Sequence, residues 1–277
     1  MLFTDFTSSF PMSIKTLVKP AWQSIEAQIR PTRRSIRSLI DLARRRQTPA
    51  RTSHPLALNC VVASNEFGSY CVPLSSIHRP AAQAILRGKV WERETIKFMR
   101  ENCGQGDIVH AGTYFGDFLP GLARAIVADA LIWAFEPNEE NYRCASITIE
   151  LNALGPMVKL THAALGPTDG VVMLSVSDDS GCSLGGSSHV SIVGKERATQ
   201  VSLDRFIPSD RRISVLQLDV EGYEDSALRG AEHLITRDRP ILILETIPTS
   251  EWFKELLRGS GYIQKANLAD NSVFVPA

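Results

Sequence analysis

The stretch "DIVHAGTYFGDFLPGLARA", Asp107–Ala125, decides the fold. It reads as an apolar strand broken only by His110, a turn bounded by Gly112 and Gly116, and the start of a helix running from Asp117 to Val127. A strand apolar on both faces that passes through a glycine turn into a helix is the opening of a βαβ unit. The pattern then repeats. "LIWAFE", "MVKLTHAAL", "ISVLQLD" and "PILILET" read as further buried strands, with helical periods over Glu139–Leu151 and Glu224–Ile235 between them. His162, inside "MVKLTHAAL", is expected to be a core histidine. The tail "GYIQKANLADNSVFVP" reads as two strands around "LADN", an antiparallel hairpin at the sheet edge. The expected class is α/β, a mostly parallel sheet covered by helices on both faces.

Upstream of this unit, "ALNCVVASNEFGSYCVPLSS" reads as a hairpin turning at Asn65–Gly68, and residues 79–102 as two helical stretches parted near Gly88. Five prolines cut residues 1–55, within which "TRRSIRSLIDLARRR" carries the apolar spacing of one amphipathic helix. The organisation expected is therefore an extension over residues 1–55, a hairpin and helices over 56–105, and a main domain over 106–277. The Gly- and Ser-rich run "SDDSGCSLGGSSH", Ser177–His189, reads as a loop, either a lid or disordered.

Charge narrows the possibilities. The chain is neutral overall, but residues 1–55 hold ten basic side chains against three acidic ones, leaving the remainder acidic. Such an arm is either a solvated extension or an element that touches a membrane surface peripherally, and a segment that swaps or pairs would make a homodimer. No apolar run approaches the ~18 residues of a membrane span. The five cysteines are widely spaced with no C-x-x-C pair, which points away from zinc and disulfides toward a reducing, cytoplasmic setting.

Chemistry gathers where the strands end. Glu136 closes "LIWAFE", Asp219 closes "ISVLQLD" with Glu221 just beyond, and Glu245 closes "PILILE". Open α/β sheets bind ligands beyond the carboxyl ends of their strands, so these carboxylates belong to one rim and suit a cationic or hydroxyl-rich ligand. The glycine turn is G-x-x-x-G, without the G-x-G-x-x-G of a dinucleotide site or a P-loop, while Glu136 stands 24 residues after Gly112, where a carboxylate reaches a ribose diol. A nucleoside without a phosphate bridge fits. S-adenosylmethionine is one, and its sulfonium favours an acidic rim.

The runs "GDIVHAGTYFGDF", "WAFEPNEENY", "VSLDRF", "LQLDVEGYEDSALRGAEHLI" and "RPILILE" together resemble the FkbM-type S-adenosylmethionine-dependent methyltransferases over residues 106–276. The resemblance implies a Rossmann-like methyltransferase fold with seven strands and methylation of a hydroxyl oxygen, on a saccharide or a natural product. It implies that the turn Gly112, Thr113 and Gly116 holds the methionine part, that Glu136 with Pro137 binds the ribose, and that Ala164 and Leu165 flank the adenine. It also places Asp219 near the reacting centre. In the family the first strand ends in Asp followed by G-A-N-x-G; here His110 takes the Asp position and Tyr114 the Asn position. Asp117 is the alternative partner for the cofactor's ammonium.

Methyl transfer to a hydroxyl needs alignment and an acceptor for the proton. His110, Asp219 and Glu221 are the catalytic candidates, and Asp219, Glu221 and Glu245 could instead hold Mg²⁺ through oxygen ligands. Trp91 and Phe98 either pack a helix on the sheet or wall the acceptor site. Three readings compete with an enzyme acting on a small hydroxyl compound. One is a binding module that has lost turnover. A second is a nicotinamide-dependent reductase on a similar sheet, against which the missing G-x-G-x-x-G counts. The third is methylation of nucleic acid tracked by the basic arm, against which the acidic rim argues.

Overall fold

A computed structural model describes residues 58–277 of the chain. The basic extension over residues 1–55, its amphipathic helix and the membrane contact expected of it lie outside the described residues. In chain order the elements begin with a hairpin, β1 (Cys60–Asn65) and β2 (Gly68–Pro73), then α1 (Pro80–Leu86) and α2 (Arg93–Asn102). The alternating unit follows: β3 (Asp107–Ala111), α3 (Leu119–Ala123), β4 (Ile132–Phe135), α4 (Glu139–Leu151) and β5 (Val158–Thr161). Next come four strands, β6 (Ala164–Leu165), β7 (Gly170–Ser175), β8 (His189–Val190) and β9 (Glu196–Val201). The chain then resumes alternation with α5 (Leu203–Phe206), β10 (Ile213–Leu218), α6 (Glu224–Arg229), α7 (Glu232–Asp238), β11 (Ile241–Leu244) and α8 (Glu251–Gly259), and closes with β12 (Tyr262–Leu268) and β13 (Asn271–Pro276).

The large sheet has seven strands in the order β12-β13-β11-β10-β3-β4-β5, and β13 is antiparallel to both of its neighbours. This is the fold that the resemblance implied. The chain lays β4 and β5 on one side of β3 and returns with β10 on the other, so the direction of winding reverses between β3 and β10. Side chains alternate between two cores. Val109, Ala111, Leu216, Leu218, Leu242 and Leu244 pack under α6, α7 and α8, while Ile108, Ile132, Val215 and Ile243 pack under α2, α3 and α4. A strand buried on both faces has to be apolar at successive positions, which is why these runs were legible.

The hairpin does not stand apart. Asn152, at the end of α4, accepts from Ser69 N at 3.0 Å and donates to Ser69 O at 2.6 Å, and Thr148 Oγ1 accepts from Cys71 N at 3.0 Å. The β2 edge thereby spends its backbone groups on helix side chains instead of a third strand. Distant capping recurs at Asp204 of "VSLDRF", whose carboxylate accepts from His233 N at 2.9 Å and Leu234 N at 2.8 Å in the first turn of α7.

Four expectations are corrected. The helix foreseen over Asp117–Val127 is only Leu119–Ala123, because Pro120 is tolerated solely in a first turn and the backbone tightens at Ala125 N to Leu122 O. The run "MVKLTHAAL" is two strands. The chain turns after Thr161, and Ala164–Leu165 pairs with β9 in a second sheet of order β6-β9-β7-β8. His162 is consequently exposed at that turn rather than in the core, stacked on Tyr142 with centroids 4.7 Å apart. The helix over Glu224–Ile235 breaks at Gly230, where a Cβ would lie 2.0 Å from Gly166 O, so the backbone itself makes that contact. The Gly/Ser run is a loop, as expected, and carries a bridge between Ser177 and Ser183 and a 3₁₀ turn at Gly185–Ser187. Among the described residues no helix is long and apolar enough to cross a membrane.

At the bottom of the sheet Asp107 is 2% exposed and accepts from Leu131 N at 2.9 Å, Trp133 Nε1 at 2.8 Å and Arg211 Nε at 2.7 Å. It ties the entry of β3 to those of β4 and β10. Asp107→Ala strands those donors and is expected to lower stability by on the order of 3 kcal/mol, read as a lower urea midpoint at unchanged slope.

Candidate functional site

At the top of the sheet each strand passes a hydrogen bond to its neighbour one residue beyond its end. Asp219 N donates to Ala111 O at 3.1 Å, Glu245 N to Leu218 O at 3.1 Å, Gly112 N to Phe135 O at 3.1 Å and Glu136 N to Thr161 O at 3.1 Å. The rim carboxylates are therefore held by the continuation of the sheet. Between them lies the turn after β3. Gly112 has φ +82°, and a Cβ there would lie 1.7 Å from Asp219 O, so the two strand tips meet through bare backbone.

Two cavities open on this rim. The smaller, about 30 Å³, is lined by Glu136, Pro137, Ala164 and Leu165, with Gly112 and Asp219 on one side and Gly186, Ser188 and His189 on the other. The larger, about 210 Å³, is lined by His110, Gly112, Tyr114, Asp117, Asp219, Glu221, Glu245, Trp91 and Arg79, with Glu92 and Asp270. Thus His110, Gly112, Asp117, Asp219, Glu221 and Glu245 share one cavity, and Gly112 and Asp219 join it to the other. Thr113 and Gly116 line neither. Thr113 Oγ1 donates to His110 O at 3.1 Å, and Gly116 N donates to Thr113 O at 2.8 Å, so both shape the turn from behind.

Glu136 is 4% exposed. One carboxyl oxygen accepts from Tyr114 N at 2.7 Å and the other from Asn138 N at 2.8 Å, which fixes the carboxyl plane. Burial pushes its pKa up to about 8, against the pull of those two backbone donors. Burial and the nearby charge of Glu92 raise Asp117 to about 7. Asp219 is held well above the usual carboxylate range by burial and then by Glu245, and Glu221 is raised for the same two reasons.

His110 behaves differently. It lies 2% exposed beneath the larger cavity, stacked on Phe118 at 5.1 Å, and burial pushes its pKa down to about 4. The ring is neutral. Its Nδ1 donates to Oε1 of Gln217, its register partner on β10, which leaves the Nε2 lone pair as a buried acceptor with no partner among the described residues. Tyr114 takes a left-handed backbone, φ +50°, and its hydroxyl hydrogen-bonds Ser76 at 2.6 Å.

The sequence did not single out Arg79, Glu92 or Asp270. Arg79 and Glu92 come from the segment before β3 and Asp270 from the tip of the closing hairpin, so only tertiary structure brings them to the rim. Of the two aromatic candidates, Trp91 faces the cavity while Phe98 packs beneath the sheet.

The family model of the methyltransferase FkbM domain matches residues 110–263. Among solved structures, the chain is similar to a methyltransferase FkbM from Methylobacillus flagellatus KT at 15% identity, covering 62% of this chain and 43% of that one, with a TM-score of 0.46. It is similar to an S-adenosylmethionine-dependent methyltransferase from Aquifex aeolicus at 11% identity, covering 71% and 92% of the two chains, TM-score 0.38. A tRNA (uracil-54, C5)-methyltransferase of Pyrococcus abyssi, in complex with S-adenosyl-L-homocysteine, is similar at 11% identity over 78% of this chain and 43% of that one, TM-score 0.41. The chain thus spans less than half of the Methylobacillus and Pyrococcus proteins. No curated protein matches this sequence.

The buried carboxyls bind protons more tightly in the folded protein than in the unfolded chain, so stability falls as pH rises through the range between the two pKa values. His110, whose pKa is depressed on folding, costs stability only below its ordinary value of 6.5. Between about pH 6.5 and pH 8.5 Glu136 is expected to cost the cofactor-free protein on the order of 2 kcal/mol, while Cys71, its thiol lowered to about 7 by its hydrogen bond with Cys144, acts in the opposite direction. Urea unfolding at both pH values checks this, and Glu136→Gln should flatten the slope.

Proposed function

This chain belongs to the FkbM methyltransferase family, and from that premise we propose that it is an S-adenosylmethionine-dependent O-methyltransferase acting on a hydroxyl of a saccharide or natural product. One observation carries the reading: Glu136 is buried with its carboxyl plane fixed by two backbone N–H groups, directly beside a turn whose glycine cannot be replaced. A carboxyl pre-set in this way keeps lone pairs for two adjacent hydroxyls, which is the demand of a ribose.

The rest of the rim fits the same ligand. Ala164, Leu165 and Pro137 give an apolar wall for an adenine, and Thr113 and Gly116 hold the turn over which the methionine part would lie. Gly186, Ser188, His189 and Val190 face that wall from the opposite side of the same cavity. The larger cavity carries six carboxyl side chains against Arg79, a balance that favours an ammonium and a sulfonium, with Asp117 as the ammonium's partner in place of the family's strand-end Asp. The same balance repels phosphates and makes nucleic acid a poor acceptor.

When bound, S-adenosylmethionine supplies a methyl group on a positively charged sulfur. The protein's part is to align the acceptor hydroxyl and take its proton. Asp219, Glu221 and His110 all line the cavity in which that hydroxyl would lie, and the buried Nε2 of His110 keeps its lone pair. Trp91 offers a flat apolar wall, the surface on which a sugar ring settles.

Isothermal titration with S-adenosylhomocysteine tests the reading. Wild type is expected to bind, and Glu136→Ala to lose about 1–3 kcal/mol, the cost of unpairing buried ribose hydroxyls. Absence of binding to wild type would overturn it.

A further inference from the structure

We propose that Asp219, Glu221 and Glu245 form a site for a divalent, oxygen-seeking cation of the Mg²⁺ class, which would hold the acceptor by two adjacent oxygens. The inference rests on the proposed function and deepens it by naming what orients the acceptor. The three carboxylates come from the tip of β10, the turn after it and the tip of β11, and one oxygen from each lies within 4.8 Å of the others. Ligand oxygens on opposite sides of an ion stand about 4.2 Å apart for Mg²⁺ and about 4.8 Å for Ca²⁺, given bond lengths near ~2.1 and ~2.4 Å. A separation of no more than 4.8 Å lets one oxygen of each residue reach a single ion with small side-chain adjustments. The members of the trio differ in backbone as well as origin: Glu221 sits at φ +55°, a left-handed conformation unusual for a glutamate, and lines the same cavity as the other two.

A cluster of acids alone could be a solvated surface, but a second group points to a ligand in the same cavity. His110 Nε2 is buried and has no hydrogen-bond donor among the described residues, although its Nδ1 is fixed by Gln217. A buried acceptor left unpaired is costly. A water on the ion, or the acceptor's own hydroxyl, would supply the missing donor from within the cavity that His110 lines with the three carboxylates. Three protein oxygens leave coordination positions open, and a vicinal pair of hydroxyls, as on a sugar, is the acceptor chemistry that would fill two of them. His110 would then be a hydrogen-bond acceptor to the coordinated oxygens and not itself a ligand, in keeping with its place outside the trio.

The full chain, stripped with EDTA, is titrated with MgCl₂ and separately with S-adenosylhomocysteine. The expected result is saturable Mg²⁺ binding to wild type that Glu245→Gln and Glu221→Gln each weaken by at least about tenfold. S-adenosylhomocysteine binding by the same variants reports that the fold and the Glu136 site are intact. No heat with Mg²⁺ up to about 10 mM in a wild-type protein that binds S-adenosylhomocysteine would overturn the cation site and leave the methyltransferase reading standing. Binding that survives both substitutions would overturn it equally. Mg²⁺ binding without S-adenosylhomocysteine binding would keep the ion site and overturn the methyl-transfer reading instead.

Discussion

The contact on which the site depends is the meeting of two strand tips through bare backbone. In-register pairing of Leu218 with Ala111 carries β10 alongside β3, and the next residues, Asp219 and Gly112, are then so close that a methyl group on Gly112 would lie 1.7 Å from Asp219 O. Nothing but hydrogen fits there. Because the tips touch, the cavity floor is a single backbone surface, with the Glu136 pocket on one side and the Asp219–Glu221–Glu245 cavity on the other. The winding reversal at β3 supplies the crevice, and this contact sets its depth.

The chemistry of that crevice is concentrated negative charge, and its cost falls on the folded state. Burial raises Glu136, Asp117, Asp219 and Glu221 together, each further raised by another carboxyl nearby. Without a ligand the protein offsets this by keeping protons. A cationic ligand offers a better settlement, because it replaces proton uptake with direct attraction in a region of low dielectric. Function and instability thus share one origin, and the stability that tolerates it comes from the two apolar cores and from fixed points such as Asp107 at the opposite end of the sheet.

What was legible in the sequence follows from how local each signal is. Strands buried on both faces announce themselves as apolar runs, and an acid that ends such a run is read directly, so Glu136, Asp219 and Glu245 were found. The strands of the second sheet are short or half exposed, and "ERATQV" carries no continuous apolar run, while the run Val171–Leu174 of β7 is buried only at Leu174 and is not flanked by a helical period. The break between α6 and α7 could not be read, since its cause is the carbonyl of Gly166, distant in sequence. His162 was misplaced for a related reason: the apolar run continued across a turn, and the residues after it pair with β9 in another sheet. Glu92 and Asp270 reach the cavity from a helix start and a hairpin tip, positions at which an acid is ordinarily only a cap or a turn residue.

The departure at Tyr114 shows why the segment before β3 belongs to the site. A left-handed tyrosine is strained, and here it is held at three points: Glu136 accepts its N–H, its hydroxyl meets Ser76, and its ring lies against Phe115 at 4.5 Å. Gly185 and Gly186 of the Gly/Ser segment pass directly over that ring, and Ser187 hydrogen-bonds Arg79. Tyr114 therefore joins the glycine turn, the segment before α1 and the wall over the smaller cavity. An asparagine at this position would reach none of the latter two. Ser187 of that wall holds Arg79, which lines the larger cavity, so the two cavities share a border built on the Tyr114 ring and the Arg79 guanidinium.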